Sequence, residues 1–226
     1  MSKFSKDNML VANSHRHGQM TDPMLHTQTS VCPHTPCFAA GSEIATDCGP
    51  VCVEDLRLGD RVLTRDHGYK TIQWIGARHF SAKDLKAHPQ LRPMIIRAGA
   101  FGQDMPLRDL TVSPQHRMLV TGQSAELGAT EVLAAAVDLC CAVPATQSSV
   151  TYYHIMFDSH EIVSSNGCWS ESFLPEAAAM DGLHSAQRTE ILSIFPELAT
   201  DTGREGFAPA RVVYQPEQAP AVHLAA

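Results

Sequence analysis

The chain has no apolar run near the roughly 18 residues that cross a bilayer, and residues 1–30 hold no apolar stretch of the secretory-signal kind. A soluble, cytoplasmic protein is the expectation, with export by a route lacking an N-terminal signal left open. Basic residues are scarce: 17 Lys and Arg stand against 24 Asp and Glu, for a formal charge of −7 and a pI near 5.9. A dedicated nucleic-acid face clusters basic residues, so neither nucleic acid nor a membrane is an expected partner. No tandem repeat or low-complexity tract is visible in the chain. The seven cysteines lack the spacing of a secreted disulfide framework and are odd in number, which points to a reducing compartment. What is present is ordinary globular composition: 44% apolar residues in a chain of 226, enough for one sizeable core.

Residues 1–36 are polar and rich in Pro and His without a sustained period, and read as a flexible leader. From Cys37 to about residue 174 the signals are short and β-like: "GSEIAT", "RVLTRD", "YKTIQWIGARHF", "MIIRAGA", "LTVSPQHRMLVTG" and "SVTYYHIMFDSHEIVSSNG". Each is β-branched or aromatic and bounded by Gly, Pro, Asp or Ser, which predicts many short, mainly antiparallel strands in one curled unit. "EVLAAAVDL" predicts a short helix within it. Residues 175–226 predict a helix, with Leu183, Ile191, Leu192 and Phe195 near one face and Pro196 ending it, followed by a Pro-rich tail.

Three stretches carry chemistry. In "PCFAAGSEIAT" Cys37 precedes a small-residue turn at Gly41 that lets the Pro36 carbonyl lie near the sulfur. A thiol there can attack the carbonyl of its own preceding peptide bond, moving the acyl group from nitrogen to sulfur; a buried inert cysteine is the bland alternative. "LTVSPQHRMLV" holds Ser113 and His116 on one loop turned by Pro114. A hydroxyl and an imidazole so placed can support a peptide bond and donate a proton to its nitrogen, or form a solvated surface turn. "HIMFDSHEIVSSNGCWSESF" predicts a strand ending in His160, an Asn166-Gly167 turn and a return strand reaching Ser170, Glu171 and Ser172.

Together these stretches resemble the Hint family of inteins and Hedgehog C-terminal domains, and most closely the standalone or C-terminal Hint-type domains of bacteria. "CFAAGSEIATDCGPVCVEDLRLGDRVLTRDHG" is similar to the opening motif, "SPQH" to the Thr-x-x-His motif with serine for threonine, and "HEIVSSNGCWSES" to the closing hairpin. The resemblance covers about residues 37–174 and implies an all-β Hint-like horseshoe. It also implies an autoprocessing domain with Cys37 as nucleophile on Pro36, Ser113 supporting the scissile amide, His116 protonating the leaving nitrogen, and His160 and Ser172 in the closing motif. Splicing inteins end in His-Asn followed by Cys, Ser or Thr, whereas Ser170, Glu171 and Ser172 stand here. The implied outcome is a thioester resolved by water or an external thiol or amine, with the chain's own N-terminal segment as substrate in cis and no cofactor.

Two other function classes stay open at this point: a cysteine hydrolase acting in trans, with His116 or His160 as base, and a Hint-fold interaction module that no longer cleaves. His15, His17, His26, Cys32, His34 and Cys37 supply metal donors at spacings of no familiar zinc pattern. Cys48 and Cys52 in "CGPVC" suit a hairpin turn rather than a redox pair. Cys140 and Cys141 read as core or a helix end, and Trp74 and Trp169 as core.

Overall fold

The computed structural model describes residues 35–121 and 131–216; most of the leader, including His15, His17, His26, Cys32 and His34, and the end of the tail lie outside the described residues. Alternating patterns build the strands. Glu43–Thr46 buries Ile44 and Thr46, and Arg61–Thr64 buries Val62 and Thr64, because successive side chains of a strand point to opposite faces. The strands of the described residues form a six-stranded and a nine-stranded sheet, neither closed into a barrel. Pairing is antiparallel throughout, except where Val212–Val213 runs parallel to Glu131–Ala135. The fold is the expected all-β architecture.

The order of the six-stranded sheet positions the site. It runs Ala142–Pro144, Met94–Ile96, Leu110–Val112, Phe38–Ala39, Val150–Met156, Trp74–Phe80. The two-residue strand that follows Cys37 is thus central: Phe38 faces Val112 on one side and Tyr153 on the other. Whatever follows Leu110–Val112, and whatever shares Val150–Met156, is carried to Cys37.

The Trp74–Phe80 and Val150–Met156 strands are paired along their whole lengths, with His154 opposite Gly76. A Cβ on Gly76 would lie 2.3 Å from the Trp74 ring, so the glycine leaves room for the indole, which stacks on His154 at 6.2 Å and 16°. At the closing hairpin Asn166 and Gly167 have φ of 46° and 83°, the left-handed pair that a two-residue hairpin turn requires.

Beyond residue 175 the chain continues as helices Ala177–Gly182, Ser185–Ile194 and Asp201–Gly206. Met180, Leu183, Ile191 and Leu198 pack with Trp74, Met156 and Phe173 in a second core. The helix expected around Ile191 and Leu192 is present, and the chain then returns to the nine-stranded sheet through Val212–Val213.

Some sequence expectations are corrected. "EVLAAAVDL" is not a helix: Glu131–Ala135 is a strand and Ala136–Asp138 a single 3₁₀ turn. Four consecutive residues of that strand are buried, and an apolar run covered on both faces has no alternation to distinguish strand from helix. The strand before His160 ends at Met156, leaving His160 in the connection to Ile162–Ser165. Trp169 is only partly buried, with the Arg65 guanidinium 5.5 Å from its ring centre. Cys140 is exposed and Cys141 half-buried beside the main core.

Candidate functional site

Cys37 is buried where the two flanking strands deliver their side chains. Its amide N–H donates to Ser113 Oγ at 2.9 Å, and that hydroxyl donates to the Thr35 carbonyl at 3.0 Å. The Ser113 N–H donates back to the Cys37 carbonyl at 2.9 Å. Ser113 therefore holds the nitrogen of the Pro36–Cys37 peptide bond while its own backbone fixes the far side of the same residue.

The other side is held by His154, which the sequence reading did not select. Its Nδ1 lies 2.8 Å from the Pro36 carbonyl oxygen and its Nε2 3.6 Å from Cys37 Sγ. A carbonyl only accepts, so Nδ1 carries the proton and Nε2 presents its lone pair to the sulfur. One imidazole thus touches both the electrophilic carbonyl and the thiol. The thiol itself donates to the Thr35 carbonyl at 3.2 Å.

Burial sets the charges here. It pushes the Cys37 thiol far above its ordinary value, against the opposing pull of the Ser113 hydrogen bond and the Arg78 charge. Burial draws His154 down to about 4, despite the bond to Pro36. His116 falls to about 3, first through burial and then through the nearby His154, Arg117 and His160. Cys37, His154 and His116 thus rest neutral at pH 7.

His116 closes the Ser113 turn with its N–H on the Ser113 carbonyl at 3.1 Å, and its ring meets the Phe38 ring at 4.4 Å. Neither of its ring nitrogens has a hydrogen-bond partner among the described residues. A buried polar group without a partner costs stability, so His116 is an energetically unfavourable feature of this turn.

His160 and Ser172 make no hydrogen bond to Cys37 or Pro36 among the described residues. His160 Nδ1 accepts from the Ala210 N–H at 2.9 Å, and its Nε2 lies 3.5 Å from Glu171. Ser172 Oγ accepts from the Glu161 N–H at 2.9 Å. Glu171 is fully buried and accepts from the Arg117 N–H at 2.8 Å and the Arg117 guanidinium at 3.3 Å. We predict that Glu171→Ala, which removes the carboxylate accepting from the Arg117 N–H and leaves the half-buried guanidinium with Glu176 alone, lowers stability by about 2 kcal/mol in urea unfolding; a loss below about 1 kcal/mol would show the carboxylate to be dispensable. Among the described residues no cluster of His, Cys, Asp and Glu is placed to hold a metal ion.

Against this geometry, the family model described as "Hint domain" matches residues 36–177. The chain belongs to the Hint domain family. The match begins at Pro36, on the acyl side of the bond that Ser113 and His154 flank, and a Hint domain is an autoprocessing-type module. Among solved structures, the Hint domain is similar to a bacterial intein-like domain from Clostridium thermocellum, with 16% identity, a TM-score of 0.41 and coverage of 60% of this chain and 97% of that one. It is also similar to the MchDnaB-1 intein (11%, TM-score 0.42, 60% and 98%) and to a DnaB intein from Synechocystis (10%, 0.38, 61% and 99%). A search of curated protein sequences finds no match. No helix among the described residues is long and apolar enough to cross a membrane.

Proposed function

We propose that this Hint domain cuts its own chain between Pro36 and Cys37 through a thioester. The observation that carries the reading is the double contact of His154, with Nδ1 on the Pro36 carbonyl and Nε2 facing Cys37 Sγ. The thiol gives its proton to Nε2, and the sulfur attacks the Pro36 carbonyl carbon. As negative charge develops on the oxygen, the imidazole has become a cation whose Nδ1–H already points at it. A base near 4 is weak, but it is uncharged at pH 7 and forms its charge only when the oxyanion does.

Collapse of the tetrahedral intermediate breaks the C–N bond, and the nitrogen must gain a proton. Ser113 holds that N–H in place, and His116, with unpartnered ring nitrogens beside Phe38, is the group that relays the proton. In net, the proton lost by Cys37 Sγ arrives at the Cys37 nitrogen. The products are a Pro36 thioester on Cys37 and a free amine. Water or an external thiol or amine then attacks the thioester carbonyl, releases the segment ending at Pro36 and regenerates the thiol. Glu171 and Ser172 supply no asparagine for cyclisation, which favours cleavage over splicing.

The test is the intact mass of the whole chain with a carrier protein fused before Met1, with and without added thiol. We expect a carrier product ending at Pro36, faster with thiol and absent in Cys37→Ala. An uncut chain under every condition would leave an interaction module as the reading.

A further inference from the structure

The thioester reading leaves open what attacks next, and a narrow cleft beside Cys37 bears on this. It is lined in part by Thr35, Cys37, Ser113 and His154, the groups around the Pro36–Cys37 bond. Arg78, Gly182 and Gln187 line it as well, and the last two lie past residue 177, where the family match ends. The appended helices therefore roof a cleft that the family core alone would leave open.

Arg78 is the notable group in it. The guanidinium lies 4.8 Å from the centre of the Phe80 ring and donates to the Gly182 carbonyl at 3.3 Å. No carboxylate among the described residues is within ion-pair distance of it, and Asp84 acts on it only from farther away. A half-buried cation without a counter-ion is costly, and its planar donor fork matches a carboxylate. It also lies close enough to feel the charge state of Cys37.

We propose that this cleft admits a small thiol bearing a carboxylate, and that Arg78 selects it; the proposal rests on the thioester reading above. The carboxylate pairs with Arg78 while the thiolate attacks the Pro36 carbonyl carbon. A new C–S bond to the incoming thiol forms, the C–S bond to Cys37 breaks, and Cys37 Sγ takes up the proton that the incoming thiol released. The segment ending at Pro36 leaves as the thioester of the small thiol.

The carrier fusion of the full chain is treated with 3-mercaptopropionate, uncharged 2-mercaptoethanol or cationic cysteamine at matched thiolate concentrations. The wild type should cleave about tenfold faster with mercaptopropionate than with mercaptoethanol, since a charge-assisted pair in a desolvated cleft is worth about that factor. That ratio should collapse towards one in Arg78→Gln and survive in part in Arg78→Lys. Propionate, which lacks the thiol, should compete with mercaptopropionate on the wild type, a readout that stands even if the variants misfold. Equal rates for the three thiols with no effect of propionate would overturn the anion site and leave the thioester intact. Cleavage by none of them would overturn both.

Discussion

His154→Ala is expected to slow thiol-induced release of a carrier at Pro36–Cys37 by at least about 100-fold, the lower end of what a positioned general base contributes. The loss combines two functions of one ring, since Nε2 faces the sulfur and Nδ1 holds the carbonyl. His154→Gln separates them from simple collapse of the site: its amide can still donate to the Pro36 carbonyl and fill the space beside Trp74, but it has no basic nitrogen for the thiol. It should fold like the wild type and still cleave at least tenfold more slowly. A folded His154→Gln that cleaves at the wild-type rate would remove His154 from the reaction.

The second large effect is acid instability. His116 and His154 are buried, and burial draws them from 6.5 to about 3 and about 4. In the unfolded chain both take up a proton near pH 6.5, while in the folded chain they resist protonation until near those lowered values. Between the two the unfolded state binds more protons, so stability is complete above pH 6.5 and falls as the pH drops through that window. The combined loss by pH 4 is on the order of 5 kcal/mol, comparable to the whole stability of a modest domain. The ion-paired Asp66 and Glu131, drawn below their ordinary range by Arg211 and Arg65, act in the same direction and at lower pH. Urea unfolding at pH 7, 5.5 and 4.5 measures the effect, and His116→Gln should flatten the pH dependence by about half. A stability that does not change from pH 7 to 4.5 would mean that these imidazoles are solvated.

Much of this was legible in the chain. Cys37, Ser113 and His116 stand in two compact stretches, each bounded by a turn, and the structure joins them through the Cys37 N–H and Ser113 Oγ. The closing hairpin could be read from Asn166-Gly167 because a two-residue turn has a local signature. His154 was hidden because "VTYYHIM" buries alternate positions Val150, Tyr152 and His154, so a histidine there reads as core. The pattern that would have exposed it is relational: Gly76 opposite it and Trp74 over it, on a strand far away in sequence. His160 stands out in the sequence through its place in the closing-hairpin motif, yet the structure turns it to the Ala210 N–H and Glu171. The strand at Val212–Val213 is two residues long, too short for periodicity to show, and the role of Arg78 depends on helices whose packing no local pattern announces.

The central position of Phe38–Ala39 has a temporal consequence. Its two neighbours in the sheet arrive with Leu110–Val112 and Val150–Met156, and the roof of the cleft arrives with Gly182 and Gln187. During synthesis the Pro36–Cys37 bond leaves the ribosome about a hundred residues before His154, the group that contacts both the Pro36 carbonyl and Cys37 Sγ. On the reading above, the cut is therefore timed by translation itself: the bond between Pro36 and Cys37 cannot be severed before synthesis has passed His154.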